Sequence, residues 1–413
     1  MLEGEIIKFY RKKRGISQEQ LGRDICTTTH VSKIERGQTK YSPEIIALFS
    51  KRLDIDIYKE IEFFQNIEKK LHQWHTSIIM QRMKEVEKIK EELEQFPLIH
   101  SSKHAALYQL VLARYFLLKQ DTKKPMDIIQ RVKDQPMTPY EKNMLKHVEG
   151  VYYLQKYNNF LSENRKKAIE ILTSIDMEAY GNEELYYHLA LAYQWVESKT
   201  MCHINAKIAL DYFKKNNIFS RAIQAESVML LQIECATDRD FQNKVERYHQ
   251  LIRDSEAINE TGIIGMLLHN LGIEYFKQED YQNAHIYYGK ALKMADKKTA
   301  IFLNRLYNYL DNSIKGKLQT HKRHLKSAQE GIFFSKALKH PLYQHLFQLL
   351  IFQVEGETDS YYVYLEKEAL PFFLSYNQIN RINKFGKKLF HYFSDTKQYE
   401  KAVQISHTFI QRD

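Results

Sequence analysis

The chain has 413 residues and a formal net charge of +10, and its length predicts at least two structural units or a repeat array. It contains no run of eighteen apolar residues and no signal peptide, so we expect neither export nor a membrane segment. Three scattered cysteines fit a reducing cytoplasm, and only 14 Gly and 7 Pro disfavour β-rich folds with many turns.

The basic charge is concentrated at the amino terminus. Residues 1–53 contain eleven lysines and arginines against six acidic residues, which is half of the whole excess. A local excess of this kind is typical of a surface that contacts phosphate. The remaining chain is nearly balanced and does not require a nucleic acid partner.

A first helix is predicted from Glu5 to Lys13, with two shorter helices after it. Ser17 is a good N-cap for the second helix, and Gln20, three residues later, completes a capping box. Leu21 and Ile25 give that helix an apolar face. The predicted helix ends near Cys26, where a tight turn leads into the third helix.

The third helix is predicted to start after the cap Thr27 and to end before Gly37. Val31 and Ile34, spaced i, i+3, predict its buried face. Its outer face is polar and basic and has the size to enter the major groove, so the pattern predicts a helix-turn-helix. Two amphipathic helices without a DNA-binding role are the alternative. The residues predicted to face base edges are Thr28, Thr29, His30 and Lys33.

These residues resemble the Cro/repressor (XRE-type) helix-turn-helix over about Gly4 to Ile57. The resemblance rests on Arg11, Gly15, Gln18, the VSKIERG run and Pro43. It implies that Arg11 pairs with Glu35 and that Gln18 contacts DNA. We expect Gln18 and Arg36 to bind phosphate. The turn is shorter than in many members, since Cys26 stands where they carry Gly-Val.

Beyond Gly37, a fourth helix is predicted to begin at Ser42-Pro43, because Pro is tolerated at the first helical position. Its core residues are expected to be Ile46, Leu48, Phe49 and Leu53. Residues 58–93 read as linker helices, broken near His75. The first linker helix carries one apolar stripe of Ile61, Phe64, Ile67, Leu71 and Trp74, and the highly charged helix after it reads as a solvated strut or as a dimer contact. We expect dimer contacts from the linker helix around Phe64 to Trp74 or from the last repeats.

The rest of the chain reads as helix pairs, and one pair is clear in LLHNLGIEYFKQEDYQNAHIYYGKAL. Small residues at Gly272, Ala284 and Ala291 alternate with large ones such as Tyr275 and Tyr288. This spacing resembles the tetratricopeptide repeat. Seven or eight pairs would fill residues 101–413. We therefore predict an all-α protein with a helix-turn-helix domain (1–57), linker helices (58–100) and a right-handed tetratricopeptide-like superhelix (101–413).

The first helix of each pair is expected to line a concave ligand surface. One repeat of 34 residues beyond Asn270 lies Asn304, beside Tyr307. Two asparagines at matching positions suit the main chain of an extended peptide, since each amide offers a donor and an acceptor. The alternative is that both asparagines simply face water. The other residues predicted to contact a peptide are His269, Ile273, Phe276 and Lys277.

The combination of these parts resembles the PlcR/NprR-like members of the RNPP quorum-sensing regulators of Gram-positive bacteria. In that family a reimported pheromone binds the repeats and changes how a dimer presents its DNA-binding domains. The resemblance implies a cytoplasmic transcription regulator whose Asn270 and Asn304 bond a short signalling peptide. A homodimer on a two-fold operator is expected, because one such helix-turn-helix contacts little DNA alone.

Two other functions stay open for the same architecture. In one, the concave surface of the repeats binds a protein, as Rap-like proteins bind response regulators. In the other, the chain is a DNA-anchored scaffold without a peptide effector. We expect no enzymatic activity and no cofactor, since no P-loop, H-E-x-x-H, G-x-S-x-G or dinucleotide motif occurs. His321 and His324 read as a solvated basic turn rather than a metal site. Cys26 reads as a small buried residue rather than a redox sensor.

Overall fold

The computed structural model describes residues 2–39, 42–96, 99–100, 104–121, 123–155 and 162–410. These residues form α-helices and connecting turns, and no strand occurs among them. The predicted all-α class is therefore confirmed. Within the same ranges, no helix has both the length and the apolar character needed to cross a membrane.

Six helices make up the amino-terminal part of the chain. They are α1 (Leu2–Lys13), α2 (Gln18–Gly22), α3 (Thr28–Glu35), α4 (Pro43–Leu53), α5 (Ile57–Ile79) and α6 (Met83–Glu94).

The later helices follow one another in pairs, as the sequence predicted. They are α7 (Ala105–Leu118), α8 (Lys124–Lys133), α9 (Pro139–Gln155), α10 (Ser162–Thr173), the short α11 (Met177–Tyr180), α12 (Glu184–Trp195), α13 (Lys199–Lys215), α14 (Phe219–Gln232), α15 (Asp238–Ala257), α16 (Thr261–Lys277), α17 (Tyr281–Lys293), α18 (Ala300–Lys315), α19 (His321–Ala337), α20 (Pro341–Glu355), α21 (Thr358–Tyr364), α22 (Leu370–Ser375), α23 (Ile379–Asp395) and α24 (Tyr399–Ile410). A π-helical turn, Leu365–Ala369, joins α21 to α22.

The chain divides into two compact units. The first unit contains residues 1–152 and 175–181, and the second contains residues 153–174 and 182–413. The predicted end of the DNA-binding domain at residue 57 falls inside the first unit, at the start of α5.

The ends of α2 and α3 are fixed by the local signals that the sequence carries. The Ser17 side chain accepts from the Gln20 N–H, and the Gln20 side chain accepts from the Ser17 N–H, which completes the capping box. The Thr27 hydroxyl accepts from the His30 N–H at the start of α3. Gly37 ends α3 in the left-handed conformation, with φ of 68°. These predicted caps are confirmed.

The core of the first four helices contains Ile6, Leu21, Val31, Ile34 and Phe49, each fully buried. The prediction that Leu48 belongs to this core is wrong, because its side chain is 46% exposed. The buried residues of α4 are Ile46, Phe49 and Leu53, which follow one helical stripe, and Leu48 lies off that stripe.

Helices α1 and α3 pack in direct contact because residue 4 is glycine. A Cβ atom at Gly4 would lie 2.2 Å from the Ile34 carbonyl oxygen. Any larger residue would therefore push α1 away from the backbone of α3.

The linker stripe is packed inside the first unit. Trp74 is fully buried, and its indole nitrogen donates to the Val86 carbonyl oxygen of α6 at 3.0 Å. Leu71 and Ile67 are buried as well. These side chains are therefore not available for contacts to a second chain. The predicted break near His75 lies a few residues later, where Gln81 takes a φ of 59°.

In the second unit, α16 and α17 pack closely at the glycine that the repeat pattern singled out. A Cβ atom at Gly272 would lie 2.6 Å from Cδ1 of Tyr288. Ala284 and Ala291, the other small residues of this pair, are fully buried. The close approach predicted from the pattern is therefore confirmed.

Candidate DNA-binding and peptide-binding sites

Helix α3 has one buried and one exposed face. Val31 and Ile34 are fully buried in the domain core. Of the residues predicted to face DNA, Thr28, Thr29, Lys33 and Arg36 are exposed, and His30 is half-buried. The exposed face therefore carries hydroxyl groups and positive charge, which suits contacts to base edges and phosphates.

Three helices are tied together behind that face by one carboxylate. Glu35 accepts from Arg11 at both oxygens, from Nε at 2.5 Å and from Nη2 at 3.0 Å. The Gln18 amide donates to the same carboxylate at 2.8 Å, and Arg11 also donates to the Ile16 carbonyl oxygen at 2.9 Å. The implied Arg11–Glu35 pair is confirmed.

The Gln18 contact changes what this residue can do toward DNA. One N–H of its amide is used inside the domain, so only the second is left for a phosphate oxygen.

Cys26 is half-buried, and this burial raises the pKa of its thiol. A raised thiol pKa disfavours the reactive thiolate, which agrees with the structural role expected for Cys26.

The predicted peptide-binding residues of α16 lie against neighbouring first helices. Asn270 is 8% exposed, and its Nδ2 donates to the Ser227 hydroxyl of α14 at 2.9 Å. His269 Nε2 lies 3.4 Å from Asn304 Nδ2 and 3.1 Å from Asn308 Nδ2, both on α18. Burial and the Arg305 guanidinium lower the pKa of His269 to about 3, so its neutral ring accepts from both amides.

The repeat length separating α16 and α18 differs from the predicted one. Each helix is followed by a residue in the left-handed conformation, Glu279 and Lys317, and these two residues are 38 positions apart. The residue of α18 that matches Asn270 is therefore Asn308. The prediction that Asn304 is its match was wrong, because it assumed a repeat of 34 residues and missed four extra residues between the helices.

Tyr307, which the sequence predicts to pack against a peptide, is buried in this structure. Tyr307 is 1% exposed and packs edge-on against Phe347, with ring centroids 6.1 Å apart. With the repeat of 38 residues, Tyr307 stands at the position of the buried His269, which explains why Tyr307 is buried too. Phe276 and Ile273 are half-buried and remain accessible. Lys277 is exposed, but its ammonium group is paired with Glu274 at 2.9 Å.

A family model described as Helix-turn-helix matches residues 7–59. These residues form a helix-turn-helix domain. Over nearly its whole length, this domain included, the chain is 25% identical to the transcriptional activator NprA of Geobacillus stearothermophilus, in an alignment of 410 residues. That similarity covers 94% of this chain and 98% of NprA.

Two solved structures share the fold. NprR in complex with its cognate peptide NprX matches with a TM-score of 0.67 and 19% identity, over 84% of this chain and 97% of that chain. A Rap protein complexed with competence and sporulation factor matches with a TM-score of 0.70 and 14% identity, also over 84% and 97%. The resemblance predicted from the sequence, a helix-turn-helix followed by NprR-like repeats, is confirmed.

Sequence reasoning missed two groups of charged residues in the repeats that follow the helix-turn-helix domain. The first is the buried pair of Lys244 and Glu274, whose Nζ and Oε2 atoms are 2.6 Å apart. The second is a group of lysines near Asp311. The helices of this second group are far apart in sequence, and only the structure brings its lysines together. His324, predicted as solvated, is buried, and its Nε2 lies 2.9 Å from the Ser313 hydroxyl.

Proposed function

We propose that this protein is a peptide-responsive, DNA-binding transcription regulator that acts in the cytoplasm. A short signalling peptide would bind the first helices of the repeats and change the DNA-binding or oligomeric state. The exposed hydroxyl-rich and basic face of α3 carries this proposal, because it is the surface that a helix-turn-helix places in the major groove. NprA, a transcriptional activator similar over nearly the whole chain, supports it.

The DNA contacts can be separated by their kind. Thr28, Thr29, His30 and Lys33 would face base edges, whereas Gln18 and Arg36 would contact phosphate. Replacing Thr29 should change which sequence is preferred, at about 1–3 kcal/mol for a lost base contact. Replacing Arg36 should weaken all sequences alike and reduce the salt slope by about one.

The sequence preference is measured by letting each full-length protein select duplexes from a randomised DNA pool. The affinity is then measured on the selected duplexes. We expect the Thr29→Ala variant to select an altered sequence and the Arg36→Ala variant to select the same one with lower affinity. Lys69→Ala is the control, because Lys69 is an exposed cation on α5, outside the helix-turn-helix domain. A wild-type protein that selects no sequence would contradict the proposal.

The same experiment tests the homodimer. A two-fold operator should appear as an inverted repeat in the selected DNA, with two chains bound per duplex. The last helix, α24, is the proposed contact, since Tyr399 and Val403 are 63% and 56% exposed there. The outer face of a terminal repeat is ordinarily polar, so two exposed apolar side chains there suit contact with a second chain. One chain per duplex would contradict this assembly.

For the peptide, we propose main-chain pairing with Asn270 and with the two asparagines of α18, Asn304 and Asn308. His269 would hold the α18 amides in place, and Ile273, Phe276 and Lys277 would contact the peptide side chains. The solved complex of NprR with its peptide NprX supports a peptide ligand for this fold. The argument from this chain is that asparagine occupies the matching position in two successive first helices.

Alanine at Asn270 or Asn308 should weaken peptide binding by about one to two decades. Each lost amide leaves a peptide group unpaired, at about 1–3 kcal/mol, and 1.4 kcal/mol is about tenfold. The test uses a degenerate heptapeptide pool to find a retained sequence, followed by isothermal titration of that peptide. Asn243→Ala, an exposed asparagine on α15, is the control. Wild-type affinity in both Asn270→Ala and Asn308→Ala would place the ligand elsewhere.

A further inference from the structure

A group of cations lies where α18, α21 and α23 meet in the second unit. Lys384 of α23 donates to Asp311 of α18 at 3.0 Å, and Lys315 Nζ lies 3.8 Å from the same carboxylate. Lys388 donates to the Tyr361 hydroxyl of α21 at 2.9 Å. We call Lys315, Lys384 and Lys388 the lysine cluster.

The lysine cluster carries more positive charge than its surroundings neutralise. Asp311 is the one described carboxylate that forms an ion pair with any of its members, and it is shared between Lys315 and Lys384. No described acidic residue forms an ion pair with Lys388, although the negative charge of Asp311 acts on it from a distance. Glu279 contributes a negative charge near Lys315. The Arg381 guanidinium, 5.3 Å from the centre of the Tyr307 ring, adds further positive charge.

Aromatic rings form much of the remaining wall of the cluster. Lys388 Nζ lies 4.2 Å from the centre of the Tyr361 ring, and Lys315 Nζ lies 4.4 Å from the centre of the Phe276 ring. Burial, with repulsion from Lys384, lowers the pKa of Lys315 and of Lys388. An anion placed between the lysines would relieve this repulsion.

The cluster is open to a ligand and offers more than positive charge. The side chains of Lys315 and Lys384 are 37% and 38% exposed. Tyr361 accepts from Lys388, so its own hydroxyl proton is available for a further acceptor. Ammonium groups together with a hydroxyl donor are suited to a carboxylate, which accepts several hydrogen bonds.

The cluster also contains the residue of α23 that stands at the same helical position as the asparagines. Left-handed residues follow α16, α18 and α23 at Glu279, Lys317 and Lys397. Nine residues before each of them stand Asn270, Asn308 and Lys388. The helix face that presents amides in α16 and α18 therefore presents an ammonium group in α23.

We propose that Lys315, Lys384 and Lys388 form a carboxylate subsite for the peptide ligand. This inference rests on the proposed function, since it assumes that the repeats bind a peptide. The carboxylate is either the carboxyl terminus of the peptide or the side chain of an aspartate or glutamate in it. The asparagines then hold the main chain, and the lysine cluster fixes one charged group of the peptide.

The test uses the full-length protein and a degenerate heptapeptide pool in two forms, with free and with amidated carboxyl termini. Peptides retained by the immobilised protein are identified by mass spectrometry. Loss of retention in the amidated pool would assign the subsite to the carboxyl terminus. Equal retention of both pools with enrichment of Asp or Glu would assign it to a side chain.

Titrations of one retained peptide then test the lysines directly. Lys384→Gln and Lys388→Gln should each weaken binding by about tenfold, since charge-assisted hydrogen bonds are the stronger kind. Lys388→Arg should retain most of the affinity, and Lys387→Gln, an exposed neighbour on α23, should retain all of it. Circular dichroism of each variant shows that the helices are intact.

Two results would overturn the subsite, and they differ in what they leave standing. Retained peptides without any preference for a carboxylate, bound equally by the glutamine variants, would remove the subsite and leave peptide binding intact. Retention of no peptide at all by the wild-type protein would remove the proposed peptide function and the subsite together.

Discussion

Replacing Glu35 with alanine should unfold the helix-turn-helix domain locally and abolish specific DNA binding. Glu35 has a side chain that is 2% exposed, and it neutralises Arg11, which is 11% exposed. Removing one partner of a buried ion pair leaves an uncompensated charge and costs about 3–5 kcal/mol. Because the same carboxylate accepts from Gln18, the variant also releases the start of α2.

Hydrogen exchange of the full-length protein measures this effect, because it reports the stability of separate segments. Exchange should rise across α1 to α4 in the Glu35→Ala variant and stay unchanged in the second unit. Glu19→Ala removes an equal charge from an exposed position on α2, so it should change stability by no more than about 0.5 kcal/mol. Unaltered exchange in Glu35→Ala would show that the network does not stabilise the domain.

The second large effect is expected at the buried pair of the repeats, Lys244 and Glu274. Their side chains are 3% and 5% exposed, and Lys244 also donates to the Ile233 carbonyl oxygen at 2.7 Å. The pair therefore joins α15 and α16 to the end of α14. Glu274→Ala should destabilise this region by about 3–5 kcal/mol, because it leaves the Lys244 ammonium group buried with one acceptor.

Two further variants separate burial from charge. Lys277, the other partner of Glu274, has a side chain that is 50% exposed, so Lys277→Ala should cost about 1 kcal/mol or less. Lys244→Met combined with Glu274→Leu removes both charges and should restore much of the stability. Hydrogen exchange across α14 to α16 measures the local stability of all three variants. If Glu274→Ala proved as mild as Lys277→Ala, the buried pair would contribute little.

The helix-turn-helix domain could be predicted in detail because its signals are local. Ser17 and Thr27 cap their helices through atoms three residues away, and the Val31–Ile34 spacing marks one helical face. The Arg11–Glu35 pair was implied by resemblance and then observed. Leu48 was misassigned because hydrophobicity alone does not tell on which face of α4 a residue lies.

The repeat sites could be predicted only in part because their geometry depends on connection lengths. Four residues beyond the assumed repeat move the match of Asn270 from Asn304 to Asn308, and they explain why Tyr307 is buried. The lysine cluster joins helices that are far apart in the sequence. Lys384, for example, is separated by 73 positions from Asp311, its ion-pair partner. No periodicity within one helix reveals a contact of that separation.

The separation of roles on α3 has an evolutionary consequence. Folding depends on Val31, Ile34 and Glu35, which face inward, whereas Thr28 and Thr29 are exposed. Substitutions at exposed positions ordinarily change stability by about 0.5 kcal/mol or less. After a gene duplication, one copy could therefore acquire a new operator through a few changes at the exposed positions. The two descendants would diverge in the genes that they control while they keep the same buried core.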